Sequence, residues 1–184
     1  MVLNFPSRAL HDVGLSAWFG GTLANAVSLN RAAGAADRAG DAGRVANVGW
    51  DAWTPVNAAA IGAHVVGAVG QLLGNTGRLA AQEGVAAMAV TKTVLTASAL
   101  AATAYARVLG ARVSADADVP VASGTEPTET TPTEVAAAQK QLKILQWAIP
   151  ALTGALVVVT AYAGEQQRPE AVKAGVARRL LSNK

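Results

Sequence analysis

The chain contains no cysteine. That excludes disulfides, thiolate metal ligands and cysteine nucleophiles, and leaves the redox compartment open. Charge is scarce as well: 15% of residues are Asp, Glu, Lys or Arg, against about 25% in a soluble domain. Aromatics make up 4%, and no Lys/Arg run interleaved with aromatic residues occurs, so the net charge of +3 does not point to nucleic acid. The chain has no GxGxxG after a strand, no P-loop, no GxSxG and no HExxH. With two histidines and no acid inside an apolar membrane segment except Asp12 at the edge of the first, the ligand set is too thin to expect a metal site.

What is present is apolar. Of the 184 residues, 52% are hydrophobic, and the mean hydropathy is +0.30. Four apolar segments stand out, at 13–29, 56–73, 85–109 and 144–163. Each is close to the ~20 residues that cross ~30 Å of hydrocarbon. The expected fold is all-α, an integral membrane four-helix transmembrane bundle with the lipid bilayer as its surroundings. Two alternatives compete. The first segment could be a signal peptide with Ala24-Asn25-Ala26 as its cleavage site, although His11 and Asp12 interrupt it. The whole chain could also be an Ala-rich soluble bundle.

The connections differ in character. Residues 1–109 hold the first three segments, with a polar connection at 30–55. Residues 110–131 are acidic and rich in Thr and Pro, with Asp116, Asp118, Glu126 and Glu129 and no basic residue after Arg112. Such a composition cannot bury enough surface to fold alone, and a disordered loop is expected. Thr131-Pro132-Thr133-Glu134 reads as a capping box with Pro at the first helical position, opening a long fourth helix over 132–164. Residues 165–184 form a basic tail with Val172, Val176 and Leu180 at helical spacing, an amphipathic helix for a membrane surface.

Lys and Arg are tied at seven on each side of a four-span topology, so the positive-inside rule does not orient the chain. The basic tail and acidic loop favour both termini in the cytoplasm of a cell inner (plasma) membrane. Trp50, Trp53, Tyr105 and Trp147 would then form an aromatic belt at the outer interface.

Polar and small residues recur near every seventh position: Asn57, His64 and Gln71; Lys92, Thr96, Ala99 and Thr103; Gln139, Gln146, Thr153 and Thr160. On nearly straight helices these stripes should face inward. The plainest role for the Thr, Asn and Gln residues is interhelical hydrogen bonding. His11, Gly14, Trp18, Gly21 and Asn25 likewise share one face of the first helix, and Leu15, Phe19 and Leu23 lie on the other, toward lipid.

Ionisable groups are costly inside a membrane, so His64 and Lys92 should face the bundle interior. At ~1.5 Å per residue, Lys92 lies ~10 Å into its span. With His11 near the cytoplasmic entry of its span and Gln71 and Thr160 ending theirs nearby, these form an inner-half polar cluster, with His64 a turn or two deeper, about level with Trp18. This offset makes a haem between His11 and His64 awkward. A tilted cofactor or a single His ligand stays open, and proton relay or quinone-like binding at the His/Lys cluster is chemically reasonable. His11, His64, Lys92 and Trp18 are the candidate cofactor-binding residues, and no catalytic residue is assigned. A bland role exists for each ionisable group: His64 donating to a helix carbonyl, and Lys92 snorkelling to the surface.

His11, then Trp18-Phe19-Gly20-Gly21, then Lys92 followed by Leu95 and Thr96, resembles a broad group of four-helix bacterial membrane proteins. That group includes haem-biosynthetic protoporphyrinogen oxidases and copper-resistance D-type domains. The resemblance covers about two of four helices and implies functional roles for His11 and Lys92. The acidic loop has no counterpart in it. Two functions are expected. One is a small polytopic membrane protein whose His/Lys cluster binds haem or quinone. The other is a non-catalytic accessory subunit or scaffold, whose partners are other membrane-protein subunits or further copies of itself.

Overall fold

The computed structural model describes residues 4–115 and 119–182, with the backbone alone at 39, 40 and 182. Asp116, Asp118 and Lys184 of the loop and tail lie outside these. Helices dominate: α1 (Phe5–Ala24), α2 (Asn30–Ala33), α3 (Ala39–Gly74), α4 (Thr76–Ala81), α5 (Val85–Val113), α6 (Thr133–Glu165) and α7 (Pro169–Ser182). Asp41–Gly74, Val85–Val113 and Thr133–Glu165 are long and apolar enough to cross a membrane. Helix α1 is not among them, so the expected four spans become three, plus a shorter helix packed between them.

The four long helices run alternately up and down. Asn4 lies against Gly74 and Arg8 against Gln167 at one end, while Asn30 meets Gln146 and Trp50 at the other. Helix α1 packs along α3, α5 packs along α6, and α1 against α6 joins the two pairs. The α1–α3 approach depends on absent side chains. A Cβ on Gly14 would lie 2.4 Å from the Ala60 carbonyl oxygen, and one on Gly67 2.3 Å from the His11 nitrogen. Of the four glycines at 62, 67, 70 and 74, expected to permit close helix contact, Gly67, Gly70 and Gly74 do so, whereas Gly62 has nothing within 4 Å of an added Cβ.

Both faces of α1 are used. His11, Gly14 and Trp18 meet α3, but Leu15 is buried too and Phe19 packs on Gly154 of α6. The expectation of a lipid-facing side at Leu15 and Phe19 is therefore corrected: α1 is the central helix, and small residues on both neighbours let it sit there. Beyond Ala24 the helix widens into a π turn over Asn25–Leu29 before α2. The extra residue rotates Asn30 inward, where it is buried.

The acidic loop is not disordered over its described residues. Val121–Ser123 and Glu126–Pro127 form an antiparallel hairpin, β1 and β2. Val119 and Val121 bury against Ala42 of α3, and Lys143 of α6 pairs with Glu126 at 2.6 Å. The composition argument missed that the segment folds on a neighbouring surface rather than alone. Helix α6 starts where expected, but the capping box does not form. The Thr131 hydroxyl donates to the Pro120 carbonyl at 2.6 Å and accepts from the Thr128 amide, and no side chain caps the helix.

The polar stripes do face inward: His64, Ala99, Gln139 and Thr153 are fully buried. Their bonding differs from expectation. Thr153 and Thr22 donate to carbonyls of their own helices, Ile149 and Trp18. Links between elements include Asn30–Gln146, His64–Thr96, Gln139 to the Ser123 carbonyl, and Tyr105–Gln141. Of the expected aromatic belt, Tyr105 and Trp147 are exposed, whereas Trp50 and Trp53 are half-buried.

Candidate functional site

Helices α3 and α5 approach each other far less than the other neighbours do. Their seam closes at one level, where Trp18, Ala60 and Ala99 form a small buried cluster with Ile61 and Leu100 packed on it. On either side of that level the seam opens into a cavity. The cavity at the α4 end has a volume of about 400 Å³. Val69, Leu72, Met88 and Leu100 supply apolar wall; His11, Gln71, Arg78, Lys92 and Thr96 supply polar groups.

His11 is fully buried, and its ring Nδ1 lies 2.8 Å from Asp12 Oδ1. A carboxylate accepts, so Nδ1–H donates and the ring's other nitrogen is left with its lone pair. That nitrogen, Nε2, has no partner among the described residues. Asp12 in turn lies 3.6 Å from the Arg8 guanidinium, which answers what an acid does at that position: it orients His11. His64 is also fully buried, with Nδ1 3.4 Å from the His11 carbonyl and Nε2 3.3 Å from Thr96 Oγ1. A carbonyl only accepts, so His64 carries its proton on Nδ1 and takes a long hydrogen bond from the Thr96 hydroxyl. The expected bland role, donation to a neighbouring helix carbonyl, is what His64 performs.

The two imidazoles touch, with ring centroids 4.4 Å apart and planes at 46°. The expected offset of a turn or two is thus corrected, because the glycine contacts draw α1 and α3 together at this level. A haem between the two rings is excluded by the same contact. Two metal–imidazole bonds of about 2 Å each, with a macrocycle between, need the centroids about 6 Å apart. Trp18 Nε1 has no partner among the described residues, and its ring lies 6.0 Å from His64, within the closed layer.

Lys92 is half-buried and lines the cavity; it makes no hydrogen bond or ion pair among the described residues. His11, Lys92 and Gln71 are therefore brought together as expected. His64 stands one layer behind them, Trp18 is set apart, and Thr160 does not line the space. Three contributors were missed. Arg78, Asn75 and Gln166 form the cavity's surface end, where Arg78 donates to Gln82 Oε1 and to the Gln166 carbonyl. Burial holds the Arg78 guanidinium below its ordinary pKa, and it stays charged. In the sequence Arg78 stood out only as one more positive charge in a short connection. No group of three or more His, Cys, Asp or Glu among the described residues could hold a metal ion.

No family model, curated protein or solved structure matches this chain.

Proposed function

We propose that the chain is a small polytopic membrane protein whose α4-end cavity binds a quinone. The observation that carries this reading is that His11, whose Nε2 has no partner among the described residues, and Lys92, which makes no ion pair among them, line one largely apolar space. A quinone needs donors at its carbonyls and, when reduced, an acceptor for its hydroxyl. Lys92 supplies the first, and the His11 imidazole at the wall the second. The α3–α5 seam supplies an apolar lateral route for a hydrocarbon tail. Helices α3, α5 and α6 cross the membrane, with α1 embedded among them and both termini on the cytoplasmic side.

A second reading rests on His11 alone. An imidazole with Nδ1–H on a carboxylate and Nε2 free is the arrangement of a metal-ligating histidine. A haem held by His11 only, with its acidic groups toward Lys92 and Arg78, fits that donor set. When bound, haem would supply electron-transfer or oxygen chemistry.

Both are tested on the full chain purified in detergent. A short-chain benzoquinone or naphthoquinone should quench tryptophan emission saturably, with affinity at least about tenfold weaker, about 1.4 kcal/mol, in Lys92→Met. Added haem should give a Soret band lost in His11→Ala and kept in His64→Ala if the second reading holds. Quenching that does not saturate, or that ignores Lys92, sinks the first. No response to either compound leaves the accessory-subunit reading, which co-purifying partners would support.

A further inference from the structure

Two cations, Arg78 and Lys92, line the α4-end cavity, and no Asp or Glu lines it among the described residues. The Arg78 guanidinium donates to three neutral oxygens, on Asn75 at 3.3 Å, on Gln82 at 3.1 Å and on the Gln166 backbone at 3.0 Å. None of these cancels its charge. Lys92 makes no ion pair among the described residues. The acid whose charge reaches it is Asp12, but both oxygens of that carboxylate are engaged elsewhere. Oδ1 lies 2.8 Å from His11 Nδ1 and Oδ2 lies 3.6 Å from Arg8 Nε. Neither cation is sealed in: both are half-buried at the cavity wall, within reach of an occupant.

We infer that the ligand brings the missing negative charge: the cavity takes an acidic amphiphile, with its ionised group on Lys92, Arg78 at the mouth, and its apolar body along the α3–α5 seam. This rests on the α4-end cavity being a ligand site, and not on the ligand being a quinone.

Depth is what makes the charge count. Lys92 lies seven residues, ~10 Å, beyond the start of α5 at Val85. Ionisable groups at such depth are costly and almost always paired, so a lysine with no acid of its own chain beside it marks a place where a partner arrives from outside. A neutral carbonyl offers an ammonium only a dipole. An ionised acid offers a full opposite charge, and the low dielectric of the span widens the difference.

The rest of the wall suits the rest of such a molecule. Val65, Val69, Leu72, Val85, Met88 and Leu100 line the space, and the loose α3–α5 packing leaves a lateral opening for a chain. The volume of about 400 Å³ falls within the roughly 300–1,000 Å³ of small-molecule sites. Two sources share this chemistry: a fatty acid, and a quinone whose ring carries an ionised hydroxyl.

The test uses two matched pairs of compounds that quench tryptophan, titrated at pH 8 into the full chain in non-ionic detergent. One pair is 2-hydroxy-1,4-naphthoquinone, ionised at this pH, and its neutral methyl ether. The other is stearic acid with a nitroxide near its head, and the methyl ester of the same molecule. Trp18, 6.0 Å from His64, is the nearby reporter. The acid of at least one pair should bind at least tenfold tighter than its neutral partner, and in Lys92→Met the ratio should fall to about one. Circular dichroism verifies folding, and Lys92→Gln decides if Lys92→Met does not fold. A preference in both pairs assigns any acidic amphiphile; in the naphthoquinone pair alone, an acidic quinone; in the stearate pair alone, a fatty acid. The last result keeps this inference and removes the quinone reading. Equal binding of both naphthoquinones with no preference in the stearate pair does the reverse. Absence of an acid preference in either pair, or a preference that survives the loss of Lys92, overturns the inference.

Discussion

Gly14 offers a sharp test of how α1 is held. A Cβ there would lie 2.4 Å from the Ala60 carbonyl oxygen and 2.5 Å from the His64 nitrogen. Ordinary contact begins at 3.4 Å, so α1 and α3 must part by about 1 Å, and both obstacles are backbone that cannot rotate away. Overpacking of this kind costs about 1–3 kcal/mol. It outweighs the gain of up to about 1 kcal/mol that Ala brings over Gly in a helix interior. Gly20 is the internal control, because it lies on the same helix with nothing within 4 Å of an added Cβ. Gly20→Ala should therefore stabilise by about 0.5–1 kcal/mol. The assay is equilibrium unfolding in mixed micelles of rising denaturing-detergent fraction, followed by circular dichroism. The two variants should move in opposite directions. A Gly14→Ala protein as stable as Gly20→Ala would mean that α1 does not pack on α3 through this contact, and the His11–His64 geometry would fall with it.

Two further outcomes follow from named bonds. Asn30→Ala strands the Trp50 indole N–H and the Gln146 side chain together, and should cost about 2–3 kcal/mol in the same unfolding assay. Arg78→Ala removes the hydrogen bonds to Gln82 and to the Gln166 carbonyl, so α7 should loosen from the bundle. Cleavage after Glu165 by a glutamyl endopeptidase should then accelerate severalfold, with helical content unchanged.

The helical class, the long apolar helices and the inward stripes were legible because each rests on a local signal. The apolar runs are long, and a spacing of seven keeps His64, Gln139 and Thr153 on one side of their helices whatever surrounds them. What could not be read depends on pairs distant in sequence. The depth of His64 relative to His11 was counted along two separate helices. The true separation is set by Gly14 and Gly67, which let α1 and α3 close until the rings touch. The 110–131 segment failed for the same reason: Val119 and Val121 are two apolar residues in a polar stretch, and their value appears only against Ala42. Thr131 fitted a capping pattern, but the Pro120 carbonyl, eleven residues away, claimed its hydroxyl.

The distribution of unpartnered polar atoms ties these observations to function. Among the described residues, nine buried side-chain atoms lack a hydrogen-bond partner, and five of them, on His11, Trp53, Asn57, Gln71 and Thr103, belong to residues lining the two α3–α5 cavities. The α1–α3 interface is closed by glycine contacts, with His11 Nε2 and Trp18 Nε1 left unpaired beside it among the described residues. A chain selected for stability alone would put Leu or Val at positions such as 57 and 103, since an apolar group there removes an unpaired polar atom at no loss of contact. Natural proteins break such local rules chiefly where something binds. Among the described residues, the unpaired atoms thus concentrate in residues beside one seam, on both sides of the Trp18–Ala60–Ala99 closure, where the helix packing is loosest.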